Sequence, residues 1–210
     1  MIARGFFGVE SYDLILQLAK HLQYAGICIS VADCSIDGSL AMCMPGFDFD
    51  TNQTEFDGML AVRGKSLVDT IRMEQSVDEL LVYYGDDFSC VDDCDVSYLL
   101  TDQQKHNVGR LHAVHSEQNE HLMLVIRGGF YDKITSESIN FELAELQIPD
   151  SNVLYLEDSD TDYENRLYLQ YGVTKKLRRK SEGVRNFIHF AMDSFYGSDT
   201  VSTAIKKVRW

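Results

Sequence analysis

Residues Ile2–Val31 read IARGFFGVESYDLILQLAKHLQYAGICISV, and the fold of the chain follows from them. Ile2 to Gly5 has the character of a short strand, and the glycines of Gly5-Phe6-Phe7-Gly8 mark a turn. From Ser11 to Tyr24 the pattern Leu14, Leu16, Leu18, Ala19 and Leu22 is broadly helical, with Ser11 at the position that caps a helix start. Gly26 ends that helix, and Ile27-Cys28-Ile29-Ser30-Val31 is an apolar run of buried-strand type. A strand, a glycine turn, a helix and a second strand form the opening unit of a parallel sheet.

The pattern repeats outward. Further strands are predicted at Gly58–Val62, Glu79–Tyr84, His121–Arg127 and Asn152–Leu156. Helices are predicted at Thr101–Ser116, Ile134–Leu146, Asp160–Tyr171 and Ser181–Tyr196, and residues 36–56 read as irregular. The expected architecture is α/β: a single doubly wound, mostly parallel sheet with helices on both faces. Residues 1–196 are expected to form one domain and residues 197–210 a basic C-terminal tail, with no linker or repeat between strands.

The 210 residues are 45% hydrophobic and 25% charged with only two prolines, a composition that suits a globular core and excludes disordered and collagen-like classes. No apolar run approaches the ~20 residues of a membrane span, and the N-terminus lacks the pattern of a secretory signal. A cytoplasmic protein is expected. Nineteen basic against thirty-three acidic residues give −14. The charge is uneven: residues 173–210 carry nine Lys/Arg and three acids, net +6, which leaves residues 1–172 at −20. The five cysteines are an odd number without a secretory context, which favours free thiols. Cys90 and Cys94 lie in an acidic loop with no second cysteine pair, and His112 and His115 have no HExxH partner, so no metal site is expected.

In a doubly wound domain the first strand–turn–helix is where a phosphate would rest on backbone N–H groups. A working phosphate loop ends in Gly-Lys-Ser/Thr, the lysine on the β/γ phosphates and the hydroxyl on Mg²⁺. With Gly8 as that glycine, Val9 stands at the lysine and Glu10 at the hydroxyl, and Ala3 stands at the opening glycine. The Glu10 carboxylate would repel phosphate by roughly several kcal/mol at low effective dielectric. Gly64-Lys65-Ser66 is a decoy, because Met59 lies where its opening glycine would be.

The N-terminal strand, the GxxG turn, the helix ending in Leu18-Ala19-Lys20-His21-Leu22-Gln23-Tyr24-Ala25-Gly26 and a second strand leading to Asp33 resemble the MinD/ParA family of deviant P-loop ATPases. The resemblance spans most of the chain in the order of its elements. It implies a signature lysine where Arg4 stands and a second lysine where Val9 stands. The family's Asp-x-Asp pair becomes Asp33-Cys34-Ser35. Tyr83 and Tyr84 fall where the family's Mg²⁺-holding aspartate lies, with Asp86 and Asp87 just beyond, and Arg127 replaces a base-reading asparagine. The departures agree with one another, since phosphoryl transfer depends on charge and Mg²⁺ positioning. They imply a non-catalytic scaffold whose vestigial nucleotide site comprises Gly5, Gly8, Val9, Glu10, Ser11, Asp33 and Ser35, with no catalytic residue and no cofactor. The alternative is a nucleotide switch or weak ATPase using ATP and Mg²⁺, with Ser11, Asp33, Asp86 and Asp87 as magnesium ligands and Lys65 or Lys20 supplying the cation.

Partner contacts are expected at Phe6 and Phe7, if exposed at the turn, and at the basic run Lys175, Lys176, Arg178, Arg179 and Lys180. The expected partner is a protein, either an active relative or a second copy in a dimer. The −20 body opposes DNA binding. Val201, Ile205 and Val208 share one face of a tail helix beside Lys206, Lys207 and Arg209, a weak peripheral membrane contact at most.

Overall fold

The computed structural model describes residues 1–128, 135–171 and 181–207. The strands are β1 (Ile2–Gly8), β2 (Ile29–Asp33), β3 (Gln53–Phe56), β4 (Met59–Arg63), β5 (Glu79–Gly85), β6 (Val96–Asp102), β7 (Leu122–Gly128) and β8 (Val153–Glu157). The helices are α1 (Tyr12–Tyr24), α2 (Ser39–Met42), α3 (Lys65–Glu74), α4 (Lys105–Leu111), α5 (Ser136–Glu142), α6 (Asp160–Gln170), α7 (Glu182–Asp193) and α8 (Ser198–Lys207). One eight-stranded sheet has the order β3-β4-β2-β5-β1-β6-β7-β8. Every pairing is parallel except β3 with β4, so the doubly wound α/β expectation holds.

Two apolar layers sandwich the sheet. One joins α1, α7 and α8 to one face, and the other joins α3, α4 and α5 to the opposite face. β1 sits at the centre between β5 and β6, so successive side chains of β1 enter opposite layers. Phe6 stacks on Tyr98 with ring centroids 4.9 Å apart, and Phe7 stacks on Tyr84 at 5.0 Å. This corrects two expectations. β1 runs on through Gly8 instead of turning at Gly5, and Phe6 and Phe7 are both wholly buried. They are core anchors and not partner contacts, because a central strand has no solvent face.

Two strands are additions to the sequence reading. β3 and β4 form an antiparallel hairpin across Asp57-Gly58, whose φ values of 50° and 76° are those of a two-residue type I′ turn. β6 lies beside β1 in the middle of the sheet and takes residues read as loop and helix start, so α4 begins only at Lys105.

Arg4 is fully buried at the sheet centre. Its Nε and Nη2 donate to the two carboxylate oxygens of Glu79 at 2.7 and 2.9 Å, and its Nη1 donates to Tyr98 Oη at 3.0 Å and to the Ala191 carbonyl of α7. The guanidinium also lies 4.4 Å from the ring centre of Phe195, and Tyr196 Oη donates to Glu79. These bonds fasten the end of α7 to β1 and β5. Val201 and Ala204 of α8 are buried against the same layer, with Ile205 packed beside them. The apolar face read as a membrane contact is thus used in packing, and Val208 lies outside the described residues. No helix among the described residues is long and apolar enough to cross a membrane.

Candidate functional site

In a parallel sheet the carboxyl ends of the strands face the loops that bind ligands. Here β1, β2, β5, β6 and β7 end at Gly8, Asp33, Gly85, Asp102 and Gly128 along one edge. The connection from β1 to α1 is only Val9-Glu10-Ser11. Gly8 adopts φ +95°, and a Cβ there would lie 2.2 Å from the Leu100 carbonyl oxygen. Val9 N–H donates to that same oxygen at 3.0 Å, which pins the turn to β6. Ser11 precedes α1 as expected, but its buried hydroxyl donates back to the Val9 carbonyl at 3.0 Å and caps no helix N–H. Glu10 is exposed and borders a cleft on either side.

The larger cleft, about 640 Å³, lies between the β1, β6 and β7 ends and α6. Its basic residues are already engaged. Arg127, 2% exposed, donates to both carboxylate oxygens of Asp13 at 2.8 and 2.9 Å and to Asp158 at 2.9 Å. Arg166 reaches the other oxygen of Asp158 at 3.2 Å. Burial works against the Arg127 charge, but Asp13 and Asp158 outweigh it and hold the guanidinium pKa above its usual value. Reciprocally, burial disfavours the Asp13 carboxylate, yet Arg127 holds its pKa below the usual range.

The smaller cleft, about 270 Å³, opens between Gly8, Ser35, Asp37, Tyr83 and Asp86. Asp33, wholly buried, accepts from the Ser35 backbone N–H at 2.9 Å and hydroxyl at 2.6 Å, and from Ala41 N–H at 2.8 Å. It therefore holds the β2–α2 loop. Tyr83 and Tyr84 are buried, and burial raises both phenol pKa values. Tyr83 Oη is 3.5 Å from the Gly8 carbonyl. Asp86 and Asp87 lie past the end of β5 on separate partners: Arg110 at 3.4 Å from Asp86 and Lys65 Nζ at 2.8 Å from Asp87. The four acid and hydroxyl groups read as alternative magnesium ligands thus each bond to separate partners. Among the described residues no group of three or more His, Cys, Asp and Glu is arranged to hold a metal.

Of the two candidate lysines, Lys65 is on this edge but paired to Asp87, with the Cys90 sulfur 3.4 Å from its ammonium. Lys20, at the far end of α1, pairs at 3.0 Å with Asp57 in the β3–β4 turn, on the opposite edge of the sheet. Gly5 lies inside β1, remote from any turn, and a Cβ there would come 2.8 Å from Cys94 Sγ. The basic run Lys175, Lys176, Arg178, Arg179 and Lys180 lies outside the described residues. The Asp13–Arg127–Asp158–Arg166 chain was missed by sequence reasoning. Its signal was an acid in the first turn of one helix and an arginine ending a buried strand, which only the sheet order brings together.

No protein-family model matches the sequence, and no curated protein matches it. Solved structures do match the fold. MinD cell division protein of Aquifex aeolicus superposes with a TM-score of 0.59 at 9% identity over 100% of this chain and 99% of its own. A putative plasmid partition protein from Borrelia burgdorferi, bound to AMPPNP, gives 0.53 at 8% identity over 99% of both chains. Apo McdA of Cyanthece gives 0.57 at 8% identity over 90% of this chain and 99% of its own. The sheet and its helices have the MinD/ParA P-loop ATPase-like fold.

Proposed function

We propose that this chain uses a MinD/ParA-like fold as a non-catalytic scaffold, acting through protein contacts without hydrolysing ATP. The observation that carries the reading is the turn after β1. A phosphate loop spans eight residues, G-x-x-x-x-G-K-[ST], whose N–H groups surround the phosphates. Here three residues join β1 to α1, and the Val9 N–H is already bonded to Leu100. Glu10 adds a negative charge where phosphate would sit, and the vestigial positions Ser11, Asp33 and Ser35 bond to their own loops. Phosphoryl transfer depends on cations and Mg²⁺ aimed at the transferred group. The described residues at this edge supply acids and cations already paired to them, Arg127, Arg166, Arg110 and Lys65.

The alternative of a nucleotide-binding switch draws on the 640 Å³ cleft beside Arg127 and Arg166. The two readings separate in thermal unfolding with millimolar Mg-ATP, Mg-ADP and Mg-GTP. A ligand at about 100 times its Kd stabilises by about 2.7 kcal/mol, a readily measured shift. The scaffold reading expects none with any nucleotide, and a rise with one of them would sink it.

A further inference from the structure

Residues 135–157 carry Glu137, Glu142, Glu145, Asp150 and Glu157 and no Lys, Arg or His. They form the margin of the sheet beyond β7: α5, two short 3-10 turns and the edge strand β8. Between α5 and the turn before β8 lies a groove of about 330 Å³. Leu124, Phe141, Leu143 and Ile148 line it, and Glu137 and Asp150 stand at its rim. Phe141 is 83% exposed. The outer edge of β8 pairs with no strand among the described residues, and Tyr155 on it is 39% exposed. Burial, with the charges of Glu137 and Asp150, pushes the Tyr155 phenol up, so edge and groove share one acidic surround.

Phe141 is continuous with the apolar lining of the groove, and a contiguous apolar patch rimmed by polar residues is the kind of surface that partners cover. Charge decides the occupant. A second copy would bring the same five acids against these, and like charges facing each other across an interface cost several kcal/mol. Nucleic acid is repelled for the same reason. A segment carrying lysines or arginines around an apolar anchor satisfies both the groove and its rim. We propose that the α5–β8 margin docks such a basic, apolar-anchored segment of a partner protein, with Phe141 as the apolar contact and Glu142 and Asp150 meeting its cations. This surface stands apart from the nucleotide question: stabilisation by Mg-ATP would overturn the scaffold reading and leave the groove untouched.

The test uses the full chain and a fluorescein-labelled amphipathic peptide of leucine and lysine, read by fluorescence anisotropy. Phe141→Ser and the pair Glu142→Lys/Asp150→Lys are each expected to weaken binding at least about tenfold. The reversal Asp69→Lys/Glu74→Lys on α3 makes the same change in net charge elsewhere and is expected to leave affinity within about twofold, beyond general salt screening. Far-ultraviolet circular dichroism confirms that each variant is folded. The proposal is overturned by no binding by the unaltered chain, equal binding by Phe141→Ser, an equal loss in the α3 control, or a dimer in sedimentation equilibrium that Phe141→Ser abolishes. Binding that appears only after neutralising Lys175, Lys176, Arg178, Arg179 and Lys180 assigns the groove to this chain's own basic run and also overturns it.

Discussion

Arg127, next to last in β7, grips both carboxylate oxygens of Asp13, in the first turn of α1, at 2.8 and 2.9 Å across 114 positions of sequence. The pair is buried, and Arg127 lines the larger cleft. Removing one member of such a pair leaves an uncompensated charge in a low-dielectric surround. Arg127→Met is therefore expected to cost about 3–5 kcal/mol in urea denaturation, and Arg127→Met/Asp13→Leu to recover part of that loss.

The same pair sets a dependence on pH. Burial alone would raise the Asp13 pKa, but Arg127 holds it below its unfolded value of about 3.9. A depressed folded pKa adds stability above the unfolded pKa, and that stability is lost as pH falls through the folded value. Unfolding free energy is expected to drop as pH falls below about 4, and to drop less steeply in Arg127→Met/Asp13→Leu. Equal slopes in the two proteins would contradict this.

Gly8 combines a left-handed backbone with a carbonyl where a side chain would begin. Gly8→Ala is expected to destabilise by more than about 1 kcal/mol, because alanine is strained at φ +95° and must displace β6. Glu10→Ala, at an exposed position of the same turn, is expected to stay within about 0.5 kcal/mol of the parent. Denaturant midpoints of the two variants check the contrast.

The thiols should separate by reactivity. Cys28 is exposed, whereas burial pushes Cys34 and Cys43 up to about 12 and Cys94 up to about 11. Thiolate is the reacting form, so at pH 8 a disulfide reagent is expected to modify Cys28 first. Cys43 and Cys94, both buried, should react at rates that follow unfolding, with the half-buried Cys34 between them and Cys28, which mass spectrometry of timed samples resolves.

The alternation of apolar runs and amphipathic helices made the fold class legible, because each run in a two-sided sheet must be apolar throughout. β6 escaped notice because Val96–Leu100 is short, holds a serine and sits beside acids, so local pattern could not distinguish it from loop. The β3–β4 hairpin did carry a readable sign in Asp57-Gly58, a dipeptide that favours φ > 0 at both positions. At the carboxyl edge of the sheet the sequence reading placed the end of the first strand at Gly5, whereas β1 runs through Gly8. Two adjacent phenylalanines look like a surface feature until the sheet order puts β1 at its centre. The partners of Arg127 were beyond reach for a different reason, since Asp13 and Asp158 meet it only through the crossovers of the sheet.

The anchoring of Arg4 by the Ala191 carbonyl also sets an order of events during synthesis. β1 leaves the ribosome before the segments that seal it, for one hydrogen-bond acceptor of its central cation is made 187 residues later, along with the ring of Phe195. Glu79 and Tyr98 can reach Arg4 earlier, but without α7 that face of the half-built sheet is open to water. A nascent chain halted before α7 would hold a charged group in an unsealed core. α7 is therefore expected to be the element whose docking seals Arg4 into the core.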